Sequence, residues 1–135
     1  MSFADMSQES FTGDAERAVL VGIDYKDALE SLLESSLAEL ARLTDTAGAV
    51  VVATVSQRLD APNPRTFVGS GKAEEIADLC RSFAADVVIF DEELTPSQQS
   101  NLEKAMPRDV KVIDRTALIL DIFALHATTK EGRLQ

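Results

Sequence analysis

Four short apolar runs alternate with segments of helical periodicity along the 135-residue chain, and this alternation limits its fold more than any other feature. The runs are AVLVGI (18–23), AVVVATV (49–55), VVIF (87–90) and VKVI (110–113). Short runs rich in branched side chains, apolar at successive positions, are typical of strands covered on both faces. The sequence therefore predicts an α/β fold with a four-stranded, mostly parallel sheet flanked by helices.

Helical spacing and helix-start signals fill the segments between these runs. Leucines from Leu29 onward recur every three or four residues, which predicts an amphipathic helix over residues 27–44 that starts with a capping box of Asp27 and Glu30. The apolar stripe from Ile76 to Phe83 predicts a second helix. Cys80 lies on that stripe, so we expect a buried thiol without reactivity.

Two further helices are predicted from their starts. The run Thr95-Pro96-Ser97-Gln98 supplies an N-cap, a proline at the first helical position and a glutamine at the third, for a helix over residues 96–106. Asp114 is placed to cap the helix that follows the fourth strand.

Charge and composition restrict the partners. The net charge of −10 sets up a field that repels phosphate backbones and anionic membranes, so any contact with nucleic acid must be local. A single cysteine and a single histidine, His126, argue against a disulfide or a structural zinc site. Residues 1–16 lack a secretory signal, and no apolar stretch approaches the roughly 18 residues of a membrane span, so we expect a cytoplasmic protein.

The stretch TFVGSGKAEEI (66–76) resembles a phosphate-binding loop at first sight. A P-loop requires a glycine five positions before the glycine of its Gly-Lys pair, and a serine or threonine after the lysine. Thr66 and Ala73 occupy those two positions, so both requirements fail. We expect Glu74 and Glu75 in the first helical turn, where they would repel an anion. The stretch is not predicted to be a P-loop.

The same stretch is then a flexible glycine turn that enters a helix beside basic side chains. Arg58, Arg65 and Lys72 outnumber Asp60 in this part of the chain, giving a local surplus of positive charge. Two interpretations stay open, a purely structural turn and a contact surface for RNA or a protein partner. The residues of the predicted contact surface are Arg58, Arg65, Gly69, Gly71 and Lys72.

Acidic residues follow three of the predicted strands, at Asp24, at 91–93 and at Asp114. The carboxyl edge of a parallel sheet is where ligands usually bind, and clustered carboxylates can hold Mg²⁺. Structural roles such as helix capping explain the same residues. We therefore predict no catalytic residue and no metal site. The weak candidates for metal ligands are Asp24, Asp91 and Asp114.

Three segments, TFVGSGKAEEI, VVIFDEELTPSQQSNLE and VIDRTALILDIFALHATTKEGRLQ, resemble in sequence, order and spacing the amino-terminal domain of HflX-type ribosome-associated GTPases. The resemblance runs from about Arg17 to Gln135. It implies a parallel α/β domain over residues 17–128 and the start of a truncated long helix over 129–135. Residues 1–16 lie outside it and are expected to form a disordered acidic leader.

The resemblance also implies a function for the complete protein. HflX-type proteins use GTP and Mg²⁺, bind the large (50S) ribosomal subunit with its 23S rRNA, and split or rescue ribosomes after stress. These 135 residues carry no GTPase motif, so they are predicted to be a binding and positioning module without a cofactor, joined to a downstream GTPase domain. Two alternatives stay open, a small Mg²⁺- and nucleotide-binding domain that uses the carboxyl-edge acids, and a dimerising or regulatory domain that restrains the GTPase.

Overall fold

The computed structural model of the chain describes residues 15–25 and 30–134. Strands and helices alternate throughout these residues, and the predicted α/β class is confirmed. The elements are β1 (Arg17–Tyr25), α1 (Glu30–Thr46), β2 (Val50–Leu59), α2 (Ser70–Phe83), β3 (Val87–Phe90), α3 (Pro96–Ala105), β4 (Lys111–Asp114) and α4 (Arg115–Leu134).

The strands form one sheet in the order β2-β1-β3-β4, and every pairing is parallel. The chain moves from β1 outward to β2, and then back across β1 to β3 and β4. Right-handed crossovers in these two directions place α1 on one face of the sheet and α2 and α3 on the other. Helix α4 packs against α1, so each face carries two helices.

Alternate residues of the central strand β1 supply the two halves of the core. Ala18 and Leu20 pack with Leu118 of α4 on one face, whereas Val19 and Val21 belong to the cluster on the α2 and α3 face. All four β1 residues are at most 1% exposed. Because helices cover both faces of the sheet, the strands are apolar at successive positions in the sequence.

Strand β2 is longer than its apolar run predicts. It pairs with β1 as far as Tyr25 opposite Leu59, after a register shift between Ala18 and Val19. Three polar residues, Ser56, Gln57 and Arg58, follow the apolar run because β2 forms the edge of the sheet, where side chains on one face remain partly exposed. Periodicity alone therefore ended the predicted strand too early.

The predicted helix caps are confirmed where the structure describes them. The hydroxyl of Thr95 accepts a hydrogen bond from the backbone N–H of Gln98, and the Gln98 side chain accepts one from the N–H of Thr95. Asp114 Oδ1 accepts from the N–H of Ala117, 2.9 Å away. Helix α1 extends two residues beyond its predicted end at residue 44. Its predicted capping box at Asp27 lies outside the described residues.

The start of α2 corrects the expectation for Glu74 and Glu75. The helix begins at Ser70 with Gly69 as N-cap, and no acid lies in its first turn. The first turn is exposed at the edge of the sheet, so the apolar stripe that marks the helix in the sequence begins only at Ala73. The two glutamates therefore lie one turn further into the helix than expected.

Candidate functional site

Both groups of candidate residues lie at the carboxyl edge of the sheet, where the parallel strands end and the next helices begin. Asp24 lies at the end of β1, Asp91 follows the adjacent strand β3, and Asp114 ends β4. The contact surface follows β2 at the same edge. The chain leaves β1 and β3 toward opposite faces, which makes their boundary the usual ligand position of an open parallel sheet.

Protein side chains fill that position. Asp91, whose side chain is 3% exposed, forms an ion pair with Arg115 at 2.7 Å and accepts a hydrogen bond from the Ser36 hydroxyl at 2.5 Å. Arg115 also pairs with Glu39 at 3.1 Å and donates to the backbone oxygen of Ser36 at 2.9 Å. These four residues, Ser36, Glu39, Asp91 and Arg115, are called the carboxylate cluster below.

The electrostatics of the cluster favour the charged pair. Burial alone would lower the pKa of Arg115, but hydrogen bonds and attraction from Asp91 and Glu39 outweigh it and raise that pKa. A buried carboxylate without a partner would be costly, so the ion pair with Arg115 removes a penalty that Asp91 would otherwise impose on folding this edge of the sheet. The cluster joins β3 to both α1 and α4.

Both carboxylate oxygens of Asp114 accept hydrogen bonds from the protein's own backbone. Its Oδ1 caps α4 at Ala117, and its Oδ2 accepts from the N–H of Leu94 at 2.9 Å. Asp24 lies 3.7 Å from the guanidinium of Arg58. Within the described part of the chain, no three histidine, cysteine or acidic residues are grouped as metal ligands would be. The geometry thus offers the magnesium hypothesis no support.

Tyr25 and Glu92 form a second contact at the boundary of β1 and β3. The Tyr25 hydroxyl and the Glu92 carboxylate influence each other's pKa. Burial, followed by repulsion from Asp91, raises the pKa of Glu92, and burial together with Glu92 raises the pKa of Tyr25. Cys80, only 2% exposed, is buried as predicted, and burial raises the pKa of its thiol.

The loop before α2, which carries Arg65, is held by its own hydrogen bonds. Asn63 and Phe67 exchange two backbone hydrogen bonds of 2.8 Å, and Asn63 Oδ1 accepts from the N–H of Arg65. Phe67 has a φ of 67° and is buried, with its ring 6.3 Å from that of Phe90 in an edge-to-face arrangement. Burial of an aromatic side chain offsets the cost of this left-handed backbone.

Two side chains of α3 donate hydrogen bonds to the backbone of the same loop. The buried Gln98 donates to the backbone oxygen of Asn63 at 2.8 Å, and Asn101 donates to that of Arg65 at 3.0 Å. Arg65 is thereby presented on a fixed backbone. The glutamine at position 98 was predicted only as a capping residue, and its second contact was not visible in the sequence.

Gly69 and Gly71 have no requirement for glycine within the described structure. Gly69 has an ordinary extended backbone, and a Cβ at either position would meet nothing within 4 Å. The contrast with two other glycines is clear, because a Cβ at Gly22 would come within 2.8 Å of Leu37, and Gly48 has a φ of 90°. Gly69 and Gly71 leave the start of α2 open to close approach from outside.

The basic residues of the contact surface differ in their pairing. Lys72 lies 3.1 Å from Glu75, and Arg58 lies near Asp24. Arg65 is exposed at the tip of the loop. Arg65 and the residues at the start of α2 lie together, whereas Arg58 lies on β2 opposite Asp24, on the face of the sheet that α1 covers. Asn101 and Lys104 of α3 lie beside the loop that carries Arg65, and neither gave a functional signal in the sequence.

A family model described as GTP-binding GTPase N-terminal matches residues 34–124. The chain belongs to this family. The resemblance to the amino-terminal domain of HflX-type proteins is likewise confirmed. GTPase HflX of Flavobacterium psychrophilum is 46% identical over 127 residues, and GTPase HflX of Escherichia coli K12 is 43% identical over 120 residues.

These matches concern one part of longer relatives. The aligned residues cover 94% and 89% of this chain, but only 30% and 27% of the two relatives. Among solved structures, SsGBP in complex with GDP has a TM-score of 0.62 at 24% identity, covering 87% of this chain and 32% of that one. A GTP-binding protein of Sulfolobus solfataricus in complex with GDP has a TM-score of 0.58 at 22% identity, covering 82% and 30%. At these identities the structural likeness shows the fold alone.

None of the helices among the described residues combines the length and the apolar character that a membrane crossing demands.

Proposed function

We propose that this domain binds the large (50S) ribosomal subunit on behalf of an HflX-type GTP-binding protein and positions the downstream GTPase domain there. In this proposal the complete, cytoplasmic protein splits or rescues ribosomes under stress. The domain itself makes and breaks no covalent bond. GTP hydrolysis with Mg²⁺ belongs to the GTPase domain of the complete protein.

The observation that carries the proposal is the open start of α2. Among the described residues, Gly69 and Gly71 meet no backbone or packing requirement, and the N-cap Gly69 has no side chain to bond the first-turn N–H groups. Glycines with this freedom allow a partner to approach the backbone closely. Arg65 and Lys72 flank the opening and suit the phosphate groups of 23S rRNA.

The charge of the chain is consistent with a contact restricted to this surface. A net charge of −10 opposes nonspecific attraction to RNA, so the basic residues must act at short range in a defined orientation. The fixed loop around Asn63 supplies that orientation, since a preorganised loop loses little entropy on binding.

Co-sedimentation with purified large subunits tests the proposal. We expect the chain to bind, and the triple variant Arg58→Ala/Arg65→Ala/Lys72→Ala to bind more weakly. For the triple variant, the plot of log affinity against log salt concentration should be less steep by up to about 2.7, which corresponds to three phosphate contacts. The change in slope is smaller if Arg58 stays paired with Asp24 and Lys72 with Glu75 when RNA binds.

A matched variant, Arg81→Ala, removes a positive charge at the far end of α2 and should leave the salt dependence unchanged. An unaltered slope in the triple variant would overturn the contact surface. Absence of binding by both this chain and the complete protein would overturn the ribosomal function itself.

Nucleotide titration separates this proposal from the enzyme alternative. If the domain is a binding module, neither Mg-GTP nor Mg-ATP should bind the 135-residue chain. Saturable binding of either nucleotide would instead favour the nucleotide-binding alternative.

A further inference from the structure

A cavity of about 480 Å³ opens on the α1 and α4 face of the sheet, at the amino edge where the strands begin. The strands contribute Val87, Ile89 and Ile113 to its lining, and α4 contributes Leu118. Short side chains complete the apolar lining, namely Ala47, Ala49 and Ala124. Further along the same face, Leu20 and Leu40 are at most 1% exposed. Large side chains thus fill this face except at its amino edge, where the alanines leave space.

Three charged side chains lie beside the apolar lining, and they restrict what the cavity can hold. Glu16 and Lys111 form an ion pair of 3.0 Å, and Asp121 adds a second carboxylate. Because the carboxylates outnumber the single cation, the cavity repels phosphates and other anions. We expect an occupant that is held by apolar contact, since about 25 cal/mol is gained for each Å² of aliphatic surface that it covers.

The part of the chain that adjoins this cavity is its own amino-terminal segment. Residues 1–14 lie outside the described part of the chain, and Glu16 of the lining follows them by two positions. The segment contains Phe3 and Phe11, two of the six phenylalanines of the protein. Aromatic residues are scarce in segments that remain disordered, because such segments have little apolar surface to bury. The composition of residues 1–14 therefore favours a binding site for one of these rings.

Phe11 is the ring that the cavity suits, because it is close to the lining along the chain. It precedes Glu16 by five positions, and five residues extend over at most about 17 Å, which is enough to cross a cavity of this volume. Gly13 lies between them and allows the chain to reverse its direction at low steric cost. A tether of this length holds the ring at an effective concentration on the order of millimolar. A second copy of the chain lacks that advantage, since it has to be recruited from solution.

We propose that residues 1–14 turn back over the amino edge of the sheet and insert the ring of Phe11 into this cavity, against Ile89, Ile113 and Leu118. The contact ties the start of the chain to α4, the last helix of the domain. It is independent of the proposed ribosomal function, because the contact surface lies at the opposite edge of the sheet.

Nuclear Overhauser effects between the ring and the lining test the proposal directly. The chain is prepared in deuterated form with protonated phenylalanine and with ¹³C-labelled methyl groups on isoleucine and leucine. We expect cross-peaks from the Phe11 ring to the methyl groups of Ile89, Ile113 and Leu118. Phe11→Ala should abolish these cross-peaks and Phe3→Ala should retain them. Their absence from the parent chain would overturn the proposal, and so would cross-peaks that are lost in Phe3→Ala instead.

A mixed sample separates the chain's own segment from a second copy. Methyl-labelled chain with deuterated phenylalanine is mixed with unlabelled chain, so that any cross-peak between a ring and a labelled methyl group arises between two molecules. We expect none for the three methyl-bearing residues of the lining. Cross-peaks in this sample would show that another copy occupies the cavity, and the intramolecular contact would be wrong.

A double-mutant cycle tests whether Phe11 and the cavity share one space. Phe11→Ala should lower the equilibrium constant for folding about tenfold, because the aliphatic lining loses its cover. The control Phe3→Ala should change that constant by less than about twofold. Ala124→Leu fills the cavity from the exposed side of α4, and Ala49→Leu fills it from the start of β2. In either background, Phe11→Ala should lose most of its effect, since the two side chains compete. Additive effects in both backgrounds would rule out a shared site.

Discussion

The carboxylate cluster and the contact surface lie at the same edge of one sheet, but they differ in what the protein has already done with their polar groups. In the cluster, Asp91 and Arg115 bond to each other and to α1. In the contact surface, Gly69 and Gly71 have open space around them and Arg65 faces solvent. The polar groups of the first region are bonded internally, whereas Gly69, Gly71 and Arg65 of the second are accessible, although Lys72 and Arg58 lie near carboxylates.

This difference reverses the simplest interpretation of residue types. Acids at the carboxyl ends of strands suggest chemistry, and glycines before a helix suggest a structural turn. Here the acids hold the fold together, while the glycines lack a structural reason within the described residues. The decisive property is whether the protein's own atoms already satisfy a group, which residue type alone does not reveal.

The largest expected effect comes from opening the carboxylate cluster. Arg115→Ala should lower the free energy of unfolding by about 2–3 kcal/mol, because it leaves the buried carboxylate of Asp91 without its cation. Urea denaturation at neutral pH measures the change. The double variant Asp91→Asn/Arg115→Ala should recover part of the loss, since the charge that needed a partner is then gone.

Arg81→Ala is the control for that experiment, because the Arg81–Asp78 pair is exposed on both sides and should contribute less than about 0.5 kcal/mol. Similar stability losses in Arg81→Ala and Arg115→Ala would remove the distinction between a closed cluster and an ordinary surface pair.

A smaller loss is expected from Asp114, which serves two backbone groups at the same edge. Asp114→Ala should cost about 1–2 kcal/mol, because the N–H groups of Leu94 and Ala117 both lose their acceptor. Asp114→Asn keeps one oxygen and should lose less. Thermal unfolding of both variants checks this order, and an alanine variant as stable as the parent would show that water replaces the carboxylate.

The contact surface should respond in the opposite direction. Gly71→Ala lies in the first turn of α2 with open space around its Cβ position, so we expect a gain of about 0.5 kcal/mol in folding stability. Binding to large subunits should nevertheless weaken. Gly22→Ala is the matched control, and it should destabilise the fold because its Cβ would meet Leu37.

A loss of stability in Gly71→Ala would indicate that the glycine serves the fold after all. Unchanged binding, with the stability gain present, would mean that no partner approaches this turn closely.

The smallest effect concerns Glu92, beside the cluster. Burial and Asp91 raise its pKa from the ordinary value of 4.5, so the folded state favours the protonated form. Its ionisation therefore destabilises the fold as pH rises through the raised pKa. Glu92→Gln should be more stable than the parent near about pH 7, with an advantage that shrinks toward about pH 4. Glu93→Gln, at an exposed neighbouring position, is the matched control for replacing a glutamate with a glutamine.

Urea midpoints across that pH range measure the trend. An advantage of Glu92→Gln that grows as the pH falls would contradict the sign expected from the raised pKa.

Much of the fold was predictable because its signals are local. The capping box at Thr95 and the cap at Asp114 depend on residues three positions apart, and the apolar runs mark strands covered on both faces. The end of β2 was missed because edge strands are polar on their open face. The start of α2 was missed because an exposed first turn lacks the apolar stripe that marks a helix.

For the candidate site, the sequence by itself determined which residue types reach the carboxyl edge, and the motifs of an HflX-type domain. Only the tertiary structure decided which of them bond to each other. Asp91 meets Arg115 and Ser36 because the strand order β2-β1-β3-β4 brings the start of α4 beside α1. Long-range order of this kind leaves no periodic trace in the chain, since it depends on how crossovers stack the elements. The same stacking satisfies the acids internally and leaves Gly69 and Gly71 open.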